Sequence, residues 1–252
     1  MSEADVQPGA PEHEPASTDS GYEFTPLSDE AVKKQLETDA TWAAELITKL
    51  CTTGGDDAMK PGIVNACEGL AFVRVAKGGL GVTLARGSGF VIRKLDQDRF
   101  GHSRWSAPVF YTVSQLGLGL AAGYESVESV LALMTPTSVH RFTEEHQVVG
   151  TDLGLVTTDG AMSGVPAGTF GTSNHMDVQA NNANAVFAYS LAHGLLANVS
   201  INGTSTYPDT ALNAKLYGEM PLKDVLAGKL PTFKEFLPLY RRISDTGTSA
   251  LA

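Results

Sequence analysis

Between residues 28 and 50 apolar side chains recur every three or four positions. Val32, Leu36, Ala40, Ala43, Leu46, Ile47 and Leu50 fall on one stripe, with Trp42 beside it, and this spacing predicts a helix. Ser28 reads as its cap, Asp29 and Glu30 suit the positive end of the helix dipole, and Leu27 is placed to staple onto Val32. Thr52, Thr53, Gly54 and Gly55 end the element. Pro61 then opens a second, short helix that turns Ile63, Val64, Cys67 and Leu70 inward.

From residue 70 the period shortens to that of strands. The runs LAFVRVA, LGVTLARG, SGFVIRKL, WSAPVFYTV and VESVLALM read as successive strands, with glycine pairs or polar clusters between them. They predict an antiparallel, strongly curved sheet whose many glycines serve tight turns, bulges and close strand crossings. Thr135 to Gln147 reads as a helix over that sheet, because Pro136 stands at its start and Val139 and Phe142 are three apart. Residues 158–182 show no period and form an unusually long loop. AVFAYSLA and LLANVSING resume the strands, and Pro208 to Ile243 returns to short helices punctuated by Pro221, Pro231 and Pro238. The expected fold class is α+β: a curved antiparallel β-sheet or partly closed barrel with flanking N- and C-terminal helices. The expected domain spans 28–243, after a disordered acidic tail at 1–27 and before a flexible C-terminus at 244–252.

Composition agrees with one folded core: 252 residues, 42% hydrophobic and 18% charged. Cys51 and Cys67 are too few for a disulfide framework and lack zinc-site spacing, so free thiols in a reducing compartment are expected. The start, MSEADVQPGAPEHEP, has no basic patch followed by an apolar core, and no apolar run reaches the ~18 residues of a membrane span. A cytoplasmic location is the expectation.

The net charge of −10 argues on its face against an anionic partner, and no nucleic acid is expected, yet the distribution of charge matters more than its sum. Residues 1–30 carry eight acids and no Lys or Arg. Residues 60–104 carry eight bases against Glu68, Asp96 and Asp98, a net +5, whereas 105–214 hold Arg141 alone against eight acids. The chain is therefore polarised, and the bases of 60–104 can form one face.

Catalytic motifs do not emerge. RGSGF lacks the G-x-S-x-G of a nucleophile elbow, and GLGLAAG lacks the spacing of a dinucleotide loop. None of the six histidines forms an H-x-x-H or H-E-x-x-H pair, and Glu144, Glu145, Glu125 and Glu128 read as solvated carboxylates. No enzyme activity, metal or cofactor is expected.

The order of blocks is more telling than any one of them. Gly69–Ala71, Lys77–Gly79, Arg86–Gly89, Trp105–Pro108 (WSAP), Gly117–Gly119 and Gly123–Glu125 are followed by FAYSLAHGLLANVSINGT, Asn213 and Tyr217–Gly218. Collinear over residues 30–243, they resemble the SYLF domain family. The chain departs from that family's pattern where TDLGLVTTDGAMSG replaces a basic G-P-x-G-R turn and SLAHGL replaces a lysine-bearing SKSKGL.

The resemblance implies binding to phosphoinositide or another anionic lipid at a membrane surface, with participation of an N-terminal amphipathic helix, and in fungal members binding to actin filaments. It implies a peripheral position on endosomal or plasma membrane. The helix at 28–50 occupies the family's helix position and offers Lys33, Lys34 and Trp42; the basic segment offers Lys60, Lys77, Arg86, Arg93, Lys94 and Arg104. These nine are the candidate lipid-binding residues. At about 1 kcal/mol per base, the +5 segment supplies only ~5 kcal/mol, so docking also needs apolar insertion or a headgroup pocket.

Overall fold

The computed structural model describes residues 21–52, 59–144, 146–156 and 186–249. Helix α1 spans Glu30–Thr52. Its cap is Asp29 rather than Ser28: the carboxylate accepts from the N–H of Ala31 at 2.9 Å and of Val32 at 3.2 Å. An ionised side chain there serves two orphan donors and also meets the positive end of the dipole. The whole predicted stripe is buried, with Leu36 and Ile47 fully so. Helix α2, Pro61–Ala66, follows with Val64 inward.

The separate strands merge. Strand β1 runs unbroken over Gly69–Gln97, β2 is the short Ser103–Trp105, and β3 covers Val109–Leu133. β1 and β3 make one antiparallel ribbon that pairs Gly69 with Leu133 at one end and Val91 with Val109 at the other, with one register shift between Leu80 and Val82. The glycine clusters that read as turns lie inside the strands because the ribbon rolls over itself, carrying residues 72–75 across 87–89. A Cβ on Gly87 would run into the Arg74 carbonyl oxygen, and one on Gly89 into that of Phe72. Glycine is needed at these two positions for close backbone approach.

Strand β4, His146–Val156, and β5, Val186–Pro208, complete a sheet that is five-stranded and antiparallel among the described residues, in the order β2-β1-β3-β5-β4. β5 pairs along β3 from Tyr111–Pro208 to Leu133–Val186. The helix expected over Thr135–Gln147 shrinks to α3, Pro136–His140, and a 3-10 turn at Arg141–Thr143. Pairing with β5 claims the chain from His146 onward, so sheet hydrogen bonds replace further helical turns. Val139 and Phe142 still pack as expected, Val139 against Gly69 and Phe142 with its ring 4.7 Å from that of Tyr111. The long loop expected at 158–182 lies outside the described residues.

The C-terminal part supplies α4, Thr210–Tyr217, α5, Leu222–Leu226, a 3-10 turn at Lys234–Phe236, and α6, Leu237–Thr248. α6 continues past the expected boundary at 243, with Gly247 buried. The other boundary also moves outward. Tyr22 stacks on Tyr240 at 5.1 Å and its hydroxyl accepts from the Trp105 N–H at 2.9 Å, while Phe24 bridges Thr232. Residues 21–27 thus belong to the folded unit. The core lies where α1, the 3-10 turn and α6 close on the two ends of the ribbon, around stacked Phe72 and Phe90 with Phe236 edge-on at 5.0 Å.

Candidate functional site: a basic cleft beside a bare sheet face

Alternate residues of a strand share a face, and directly paired residues do so across strands. By that rule Phe72, Arg74, Leu80, Val82, Leu84, Arg86, Ser88 and Phe90 stand on one face of the ribbon, since the shift at Leu80/Val82 preserves parity. Along this face the environment changes in three steps. Phe72 and Phe90 at the ends are 0% and 1% exposed beneath the helices. Next come Arg74, Arg86, Ser88 and Ser126, which line an open cleft of about 420 Å³. In the middle Leu80 and Leu84 are 86% and 61% exposed, and Tyr124, paired with Gly78, is exposed as well.

The cleft is built from the covered end. Asp39 on α1 forms an ion pair with Arg74, whose guanidinium lies 4.8 Å over the Trp42 ring. Trp42 Nε1 donates to Glu128 at 2.7 Å, and Glu128 is paired with Arg74 across the ribbon. Burial pushes the Asp39 carboxyl above the usual carboxylate range, against the pull of Arg74. Arg74 is thereby held rigid at the cleft wall with part of its side chain still open to solvent. Arg86 is exposed and makes no ion pair among the described residues. Two guanidinium groups with two serine hydroxyls form a donor set suited to a phosphate, because arginine forks match its oxygens and hydroxyls complete the shell.

The predicted bases do not gather on one face. Trp42 and Arg86 alone of the nine belong to the cleft and its wall. Lys33 pairs with Glu30 at 3.8 Å, and Lys34 is exposed on the outer side of α1. Lys60 is exposed at the start of α2. Lys77 is 7% exposed and on the opposite face of the ribbon from Arg74. Arg93, Lys94 and Arg104 lie near β2. Lys94 donates to Asn65 O at 2.7 Å and stands 5.5 Å over the Trp105 ring, and burial pulls its ammonium below the usual lysine value. Arg104 donates through Nε and Nη2 to Asp96 Oδ2 at 3.0 and 2.6 Å, and the buried Nε of Arg93 has no hydrogen-bond partner among the described residues.

Arg74, Ser88 and Ser126 were not among the candidates. Equal parity of Arg74 and Arg86 was a readable signal, but their convergence depends on the roll of the ribbon. The apolar stripe of α1, with Trp42 at its edge, packs into the core in this structure. No described helix is long and apolar enough to cross a membrane, and the described residues hold no cluster of His, Cys, Asp and Glu for a metal.

Residues 114–246 match the family model Ysc84, described as "Las17-binding protein actin regulator". The chain is 28% identical over 217 residues to the LAS seventeen-binding protein 3 of Saccharomyces cerevisiae, covering 83% of this chain and 44% of that protein. Against Protein YSC84 of the same yeast the identity is 30% over 191 residues, 75% of this chain and 38% of the relative. The human SH3 domain-containing YSC84-like protein 1 is 28% identical over 214 residues, 83% of this chain and 58% of the relative. The chain thus spans roughly half the length of these relatives or less, between 38% and 58%. No solved structure matches it.

Proposed function

The chain belongs to the Ysc84, or SYLF, family of actin regulators, and from that premise we propose that it is a peripheral module that docks on membranes carrying phosphoinositide or another anionic lipid. It works there in cortical actin organisation or membrane trafficking, from the cytoplasmic side of plasma or endosomal membrane. The observation that carries this reading is the Arg74–Arg86 cleft, an open donor set of two arginines and two serines beside an uncovered apolar face. The family's description names a regulator and no reaction, and the cleft holds donors without a nucleophile and base in contact, so binding rather than catalysis fits it.

At about 1 kcal/mol per base near an anionic surface, two arginines alone leave the dissociation constant weaker than millimolar, so headgroup coordination must add to it. Flotation of the full chain with phosphatidylcholine vesicles, with and without a phosphoinositide, tests the reading. Binding is expected only with the phosphoinositide, and Arg86→Glu should lower it several-fold. Equal recovery with both vesicle types removes the proposal.

A second reading, filament binding through the same arginines, is favoured by the family's description as an actin regulator. Co-sedimentation with actin filaments separates the two: filament binding abolished by Arg86→Glu in a chain indifferent to phosphoinositide would leave the actin reading alone.

A further inference from the structure

The bare middle of the ribbon is unusual for a sheet face: Leu80, Val82 and Leu84 follow one another on one side of β1 at 86%, 46% and 61% exposure, with Tyr124 at 58% beside them. Soluble proteins seldom leave such a contiguous apolar row without a partner. In the backbone register Leu84 is set against Leu116 and Val82 against Leu118, and Leu118 in turn against Ile201. Pairing with β3 flanks this stretch on both sides of the register shift between Leu80 and Val82, so outside that shift the exposed side chains can meet an apolar medium face-first while their strand stays paired to β3.

We propose that this face enters the bilayer: Leu80, Val82, Leu84 and Tyr124 penetrate to the level of the upper acyl chains while Arg74 and Arg86 meet phosphates at the cleft. The inference rests on the lipid-docking reading above and adds the part of the molecule that reaches the hydrocarbon. Two observations select a membrane over a second copy of the chain. The cleft borders the apolar row on the same face, so one approach satisfies both cationic and apolar groups. A two-fold dimer through this face would bring the exposed Arg86 of one copy toward its equivalent, a like-charge contact; the acids beside the cleft, Asp39, Glu128 and Asp209, are already engaged by Arg74, Trp42 and the Leu212 N–H. In this structure α1 keeps Leu36, Ala43 and Ile47 in the core, whereas Leu80 and Leu84 are open to an approaching bilayer.

The test uses the full chain and phosphoinositide-containing phosphatidylcholine vesicles. Leu80→Asp with Leu84→Asp should weaken vesicle binding by roughly a hundredfold, about tenfold per lost leucine. The thermal midpoint of this double variant should match that of the unaltered chain, since both sites are exposed. Independently, Tyr124→Trp should add an indole emission that shifts to the blue on binding and is quenched by lipids brominated near the top of the acyl chain. Vesicle binding that survives both aspartates, together with an added indole emission that brominated lipid leaves unchanged, overturns insertion while leaving headgroup docking intact. Failure of the unaltered chain to bind either vesicle overturns the docking reading itself. A chain that elutes as a dimer without lipid and becomes monomeric with the aspartates assigns the face to a second copy and also overturns insertion.

Discussion

One strand, β1, has two fates. At its ends Phe72 and Phe90 stack at 5.0 Å under α1 and the Lys234–Phe236 turn, and both are excluded from solvent. In its middle Leu80 and Leu84, at the same alternation and on the same face, stand open. Nothing in the local pattern separates them; a covering helix does. The comparison teaches that an apolar strand residue reports which face it occupies, while its role as core or as contact surface depends on what packs above it.

The largest test of this contrast is at the covered end. Phe90→Ala, which empties the space between Phe72, Phe110 and Phe236, should cost about 3–5 kcal/mol in urea unfolding. A loss as small as that of an exposed leucine would mean that the two ends of the ribbon do not share a core.

Gly89→Ala should come next, at about 1–3 kcal/mol in the same assay, because a methyl group has no room against the Phe72 carbonyl and the crossing must open. An unchanged midpoint would argue that the ribbon is less tightly rolled.

A smaller effect is expected from the shoulder between the regions. The Asp39 carboxyl has a folded value raised by burial above its unfolded one. Its contribution is therefore fully present below the unfolded value and is lost as pH rises through the folded one. Asp39→Asn should flatten this decline between the ordinary carboxylate range and the raised value, measured as urea midpoints against pH. If the unaltered chain instead gains stability over that window, the pull of Arg74 outweighs burial at this site.

The smallest effect belongs to the bare middle: Leu84→Ala should change unfolding free energy by less than about 0.5 kcal/mol, since the side chain is already mostly in water. A larger loss would show that this face is covered in solution.

Much of the fold was legible because it depends on local chemistry. The stripe of α1 was readable from spacing alone, and all seven of its positions are buried. The end of α1 and the start of α2 followed from Thr52 and Pro61. The glycines misled, since a glycine that permits a turn and one that permits a close crossing carry the same letter. Gly87 and Gly89 became interpretable once the carbonyls of Arg74 and Phe72 lay over them. Tyr22 was out of reach for a related reason: its partners Trp105 and Tyr240 are distant in the chain, and its flanks look like those of an unstructured tail.

The candidate site divides in the same way. Charge counting located the basic segment, and Arg86 and Trp42 are in or beside the cleft, but Lys77 turned inward and Lys94 and Arg104 were taken up by Asn65 and Asp96. Such outcomes depend on strand parity and on neighbours contributed by other elements.

By itself, then, the sequence determined the family, the α+β class, the helix that closes the core and the surplus of bases between residues 60 and 104, because periodicity, capping and block order are properties of neighbouring residues. Only the tertiary structure decided that two long strands replace several short ones, that Arg74 and Arg86 share a cleft, and that the leucines between them remain bare. Each of these depends on the roll of the ribbon and on which parts of it the helices reach, and both arise from contacts between residues far apart in the chain.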